Sequence, residues 1–163
     1  MMNQAHLHMV FNHFPIIGLF FGTGVLVYGI FKKQTLLINT AYVMFIFCTI
    51  MAKATMMTGE GAEEIVEELG ISHQIIHEHE ELAETFMKLL YVLGIFSVLG
   101  LAANFKKHAK ALIVSYTVLV LAIGSAVLSK YVGTSGGEIR HTEIRDDFSA
   151  GVGFNQTRSH DDD

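Results

Sequence analysis

The stretch FPIIGLFFGTGVLVYGIF (14–31) runs for 18 residues without a charged side chain and stops at Lys32-Lys33. At about 1.5 Å per helical residue, such a run nearly crosses a hydrocarbon core of roughly 30 Å. Three more runs behave alike. Leu36 to Met57 is interrupted only by Lys53, and Leu89 to Phe105 and Ala111 to Ser129 carry no charge. In lipid every backbone N–H and C=O needs a partner inside its own segment, which selects helices over open strands. The single proline, Pro15, agrees with long helices that are rarely broken. The pattern predicts an all-α membrane protein, a four-transmembrane-helix up-down bundle with spans at about 10–31, 36–57, 82–105 and 110–132.

Composition points the same way. The 163 residues are 51% hydrophobic, with a mean hydropathy of +0.42, more than a soluble domain of this size needs. The segment before Phe14 has no lysine or arginine, and no small-residue cleavage site follows a short apolar core. The first span is therefore expected to insert and stay. Cys48 is the only cysteine, which leaves no partner for a disulfide and argues against a thiolate metal cluster. There is no glycine-rich phosphate loop, no nucleophile elbow and no basic face for nucleic acid.

Charge placement orients the spans. The two short turns carry Lys32, Lys33, Lys106, Lys107 and Lys110 and no acid. The positive-inside rule puts these turns in the cytoplasm, so an inner-membrane protein with both termini outside is expected. Every Asp and Glu, and every histidine except His108, then falls on the outer side. The net charge of −5 conceals this polarity.

The outer side concentrates possible ligands. HQIIHEHEE (73–81) packs three histidines and three glutamates into nine residues, just ahead of the third span. Before it, TGEGAEEIVEELG (58–70) reads as a short acidic helix over about 60–69, with Thr58 as its cap and Gly70 as its stop. Ser72 is placed to cap a long helix running on into span 3. At about 100° per residue, His73, His77, Glu80, Glu84, Lys88 and Tyr91 share one face of it, with Ile75, His79, Leu82 and Phe86 opposite. Glu84 with Lys88 has the i,i+4 spacing of an ordinary surface pair. Lys53, Lys88 and Lys130 fall at similar depth, either as snorkelling stems or as partners for carboxylates such as haem propionates. LHMVFNHFPIIG (7–18) adds His8 and His13, with His6 just ahead, and TSGGEIRHTEI (134–144) adds Glu138 and His141. The polar tail (142–163) ends in His160 and three aspartates, read as a solvated end.

These motifs resemble a bacterial family of uncharacterised four-span membrane proteins, some of whose members are fused to Rieske iron–sulfur domains. That family opens with Leu-His-Pro…His-Phe-Pro, and LHMVFNHFP supplies His8, His13, Phe14 and Pro15 at the same spacing. MTGEGAEE matches its acidic turn after span 2, His77 or His79 its histidine at the start of span 3, and Gly136, Gly137, Ile139 and His141 its final turn. Met9 stands where the family has proline, and its Gly-Val-Gly-Val ending is displaced toward AGVGF (150–154). The resemblance implies a connection with redox chemistry.

Three readings follow. The first is a membrane electron-transfer protein with non-covalent haem b. His13 and His77, on diagonal spans, would be its axial ligands, with His8 and His141 as substitutes or second-site ligands. Lys53, Lys88 and Lys130 would meet the propionates, Phe11, Phe14 and Phe86 would shield the ring, and a periplasmic redox protein, a Rieske-type protein or a quinol would be the partner. The second is a Zn, Fe or Cu site built from His13, His73, His77, Glu80 and Glu84. The third is an accessory subunit whose acidic face docks a partner. An electron carrier or redox-complex subunit is expected ahead of a stand-alone enzyme, and a hydrolase reading has no organised nucleophile to stand on.

Overall fold

The computed structural model describes residues 3–141 and Arg145. The described residues form four helices, α1 (Gln4–Lys32), α2 (Thr35–Glu68), α3 (His73–Phe105) and α4 (Ala111–Arg140). All four are long and apolar enough to cross a membrane. Short connections force sequential neighbours to run antiparallel. α1 packs most heavily on α2, α3 on both α2 and α4, and α1 touches α4, so α1 and α3 stand on a diagonal. The remainder of the tail, His160 included, lies outside the described residues.

Each connection is a tight stop. Gly70, at φ +81°, lets its N–H reach Glu67 O while Ile71 N–H reaches Val66 O. This paired closure at a helix end uses glycine because a Cβ is strained there. The two lysine turns use Lys33 (φ 54°) and Lys107 (φ 50°) in the same left-handed region, a conformation that costs a non-glycine residue about 1–2 kcal/mol. The expected short helix over 60–69 is not separate: α2 continues through Glu68. Thr58 does not cap, because its hydroxyl bonds back to Thr55 O at 2.8 Å inside the unbroken helix. Pro15 likewise lies within α1, which starts at Gln4 under an Asn3 cap whose side chain accepts from His6 N–H.

The interior is built from close approach and small hydroxyls. A Cβ on Gly22 would come within 2.7 Å of Phe45, and one on Gly100 within 2.5 Å of the Tyr42 ring. Tyr42 is fully buried, and its hydroxyl donates to Ser115 Oγ at 2.8 Å, which itself donates to Ala111 O. Thr49 reaches Leu90 O across the α2–α3 seam at 2.9 Å, and Asn104 donates to Asn39 at 2.6 Å. Bonds of this kind contribute about 0.6 kcal/mol each in a membrane bundle. The outward surface is apolar as well: Phe31 is 76% exposed and Val120 70%, which suits contact with lipid and not with water.

The lysines set the scale. Lys53, Lys88 and Lys130 stand 20, 18 and 20 residues from Lys33, Lys106 and Lys110. At about 1.5 Å per residue that is roughly 27–30 Å, the thickness of a hydrocarbon core. All three are exposed on the outside of the bundle, as snorkelling stems are. On α1 the same distance from Lys32 ends at Asn12. The turns beyond these levels project past the spanning segments.

Replacing Gly100 by alanine should lower stability in detergent by about 1–3 kcal/mol, the usual penalty of overpacking. Gly24, whose added Cβ would meet nothing within 4 Å, should tolerate alanine or gain from its better helix propensity. Denaturant titration followed by helical circular dichroism measures both.

Candidate functional site

The projecting turns enclose a cavity of about 690 Å³ at the end of the bundle that carries both helix termini and the α2–α3 connection. Its walls are largely apolar, with Met9, Met56, Ile76 and Ile139 contributed by the four helices in turn. Three histidines line it, His6 and His8 on α1 and His79 on α3, and the last two, on diagonal helices, are the ones whose rings are anchored within the bundle.

Both rings are held by one nitrogen. His8 Nδ1 lies 3.1 Å from Thr55 O, and since a carbonyl only accepts, Nδ1 carries the proton. His79 Nδ1 lies 2.9 Å from Ser135 Oγ. That hydroxyl gives its own hydrogen to Val132 O at 3.1 Å, so His79 Nδ1 is again the donor. In both residues Nε2 keeps its lone pair. No partner engages it among the described residues, and neither Nε2 is sealed from its surroundings. Anchoring one ring nitrogen to a carbonyl or hydroxyl is how proteins fix the tautomer of a ligating imidazole. Gly136 makes room for this arrangement, because a Cβ there would stand 3.0 Å from the His79 ring.

The environment keeps both rings neutral. Lying beyond the lysine levels, His79 has its pKa pushed down to about 4 by burial and then by the nearby His8. Burial also lowers that of His8, partly offset by its bond to Thr55. Glu80, on the cavity wall, holds its proton more tightly than usual through burial and the adjacent Glu63.

The residues singled out from the sequence divide around this cavity. His8, Glu80 and Glu84 line it. His13 does not: it is exposed on the bundle exterior, with Nδ1 donating to Met9 O of its own helix at 2.6 Å. His77 is exposed on the outer face of α3, its ring stacked on His73 at 6.3 Å with Nε2 3.5 Å from Glu81. His13 and His77 are therefore not brought together. Lys88 is bound to Glu84 at 3.0 Å, and no lysine or arginine lines the cavity among the described residues. His141 ends α4, where its N–H bonds Gly137 O. Glu63, which also lines the cavity, forms with the exposed Glu67 and His73 a group whose donor atoms lie within 4.8 Å of one another.

The sequence held a signal for His8 and His79. Core residues on α1 fall at Pro15, Leu19, Gly22, Leu26 and Gly29, and one seven-residue step back from Pro15 is His8. The same step back from the buried Phe86 on α3 is His79. A seven-residue step returns to the same seam of a packed helix, whereas His13 and His77 lie two residues off it.

Folded His79 resists protonation until about pH 4, while its unfolded form takes a proton near 6.5. The contribution of the neutral ring is therefore complete above pH 6.5 and lost as pH falls toward 4. Thermal unfolding between pH 8 and 4 should show this decline, and His79→Gln should flatten it. Comparison with known protein families, with curated proteins and with solved structures finds no match to this chain.

Proposed function

We propose that the chain is a membrane electron-transfer protein that holds haem b between His8 and His79, in place of the His13–His77 pair expected from the sequence. One observation carries the reading: two neutral imidazoles, each anchored through Nδ1 and each with Nε2 unused, share a largely apolar cavity of about 690 Å³. Paired neutral imidazoles suit the axial positions of a b-type haem, and the volume lies within the usual range for a cofactor pocket. An iron porphyrin bound there supplies a one-electron couple. The residues of the chain fix the ring orientations, line the space with the apolar Met56, Ile76 and Ile139, and keep both imidazoles unprotonated.

Two features expected of such a site are differently arranged. The exposed lysines lie below the cavity and outside the bundle, so they do not meet propionates within it. Acids take their place at the walls, with Glu60, Glu63 and Glu80 all lining the cavity. These carboxylates favour a second reading, in which the two imidazoles and an acid hold a Zn, Fe or Cu ion without a porphyrin. The position beyond the lysine levels suits exchange with a redox protein outside the bilayer, a Rieske-type protein or a quinol at its edge. With the basic turns in the cytoplasm, this end faces the periplasm.

Detergent-purified protein from haem-replete cells should show a Soret band and, after dithionite, sharp α and β bands. His8→Ala and His79→Ala should each remove most of the haem, while His13→Ala and His77→Ala should retain it. Loss confined to the last two variants would restore the original ligand pair. A colourless protein with a stoichiometric metal lost on His8→Ala would favour the second reading, and a colourless, metal-free one would leave the acidic end as a docking surface.

A further inference from the structure

We infer that the α2–α3 connection carries a second site, adjoining the cavity at Glu63, that binds a divalent transition-metal ion of the zinc class through Glu63, Glu67 and His73, with His77 within reach as a fourth donor. Two helical chelating pairs meet there. Glu63 and Glu67 are four residues apart on the last turns of α2, and His73 and His77 are four apart on the first turns of α3. This spacing puts both members of a pair on one face of their helix. The tight turn at Gly70 brings the two faces together.

The distances suit an ion. Donors each about 2.0–2.2 Å from a tetrahedral zinc stand roughly 3.3–3.6 Å from one another. His73 Nδ1 lies 2.8 Å from Glu67 and 4.0 Å from Glu63, so the observed separations bracket that value. The side chain of His73 is 74% exposed, so an ion in solution has direct access to it. His77 is stacked nearly parallel to His73 and is exposed enough to turn toward the same point.

The charge also asks for a cation. Among the described residues the only carboxylate paired with a lysine is Glu84; Glu63 shares a hydrogen bond with Glu80, and the only cationic partner of Glu63 and Glu67 is the His73 imidazole. A mixed set of imidazole and carboxylate favours zinc or copper over calcium or magnesium, which prefer oxygen donors. An ion here would tie the end of α2 to the start of α3. It would thereby fix the stretch of cavity wall formed by Val66, Leu69 and Ile71.

The test is calorimetric titration of zinc chloride into the full chain, purified in detergent and first stripped with EDTA. One tight zinc per chain is expected. His73→Ala and Glu67→Gln, both outside the cavity, should each weaken it by more than about 100-fold, beyond the 10–100-fold typical of a mere supporting partner. Glu64→Gln, an exposed neighbour, should leave it unchanged, as should the double variant H8A/H79A, so the fate of this site is separable from that of the haem reading. Helical circular dichroism confirms that the variants fold. The inference is overturned if the wild type binds no zinc, if His73→Ala and Glu67→Gln bind as tightly as it does, or if Glu64→Gln loses as much. It is equally overturned if only H8A/H79A abolishes binding, which would place the ion in the cavity.

Discussion

The structure depends first on the mismatch between helix length and membrane thickness. Roughly 20 residues of helix suffice to cross a hydrocarbon core, yet the four helices run for 29, 34, 33 and 30 residues. Their basic ends are aligned by two short lysine turns, so the surplus accumulates at the opposite end. There the helices are free of lipid but still packed against one another. A polar lining is tolerated, water has access, and imidazoles and carboxylates can share a space that the hydrocarbon zone would not permit. The cavity is thus a consequence of helix length before it is a consequence of any single side chain.

Within the spanning zone the same solvent dictates a different interior. Lipid tails are as apolar as leucine, so hydrophobic burial gives the helices little reason to associate. The contacts that hold them are close approaches at Gly22 and Gly100 and hydrogen bonds from Tyr42, Thr49 and Asn104. Cys48, fully buried against Gly18, belongs to this packing. These contacts set the rotation of each helix about its axis. Rotation in turn decides which histidines of the projecting turns point inward.

The helices and their number were legible because each rests on local composition, and so was the concentration of histidines and carboxylates at one end. Individual ligands were not. On α3 the polar stripe His73, His77, Glu80, Glu84 and Lys88 does share a face, but much of that face looks outward, and the single histidine opposite it, His79, is the one that lines the cavity. Of that stripe only Glu80 and Glu84 reach the cavity wall, while His73, His77 and Lys88 do not. The seven-residue step from Phe86 to His79, and from Pro15 to His8, was the better guide, since it follows the packing seam. The acidic stretch after Thr58 reads as a separate helix because threonine caps so readily, yet α2 runs on through Gly59 and Gly61, with Gly61 packed against Gln4.

Sequence alone determined that this is a four-helix membrane chain with a basic end and a histidine-rich acidic end, because hydrophobic length and charge act residue by residue along the chain. Tertiary structure alone decided that His8 and His79 face one cavity while His13 and His77 face away, and that Glu63 and Glu67 meet His73 across the Gly70 turn. Those pairings depend on the relative rotation of packed helices. An error of one or two residues in register turns a helix face by about 100–200° and exchanges an inward ligand for an outward one.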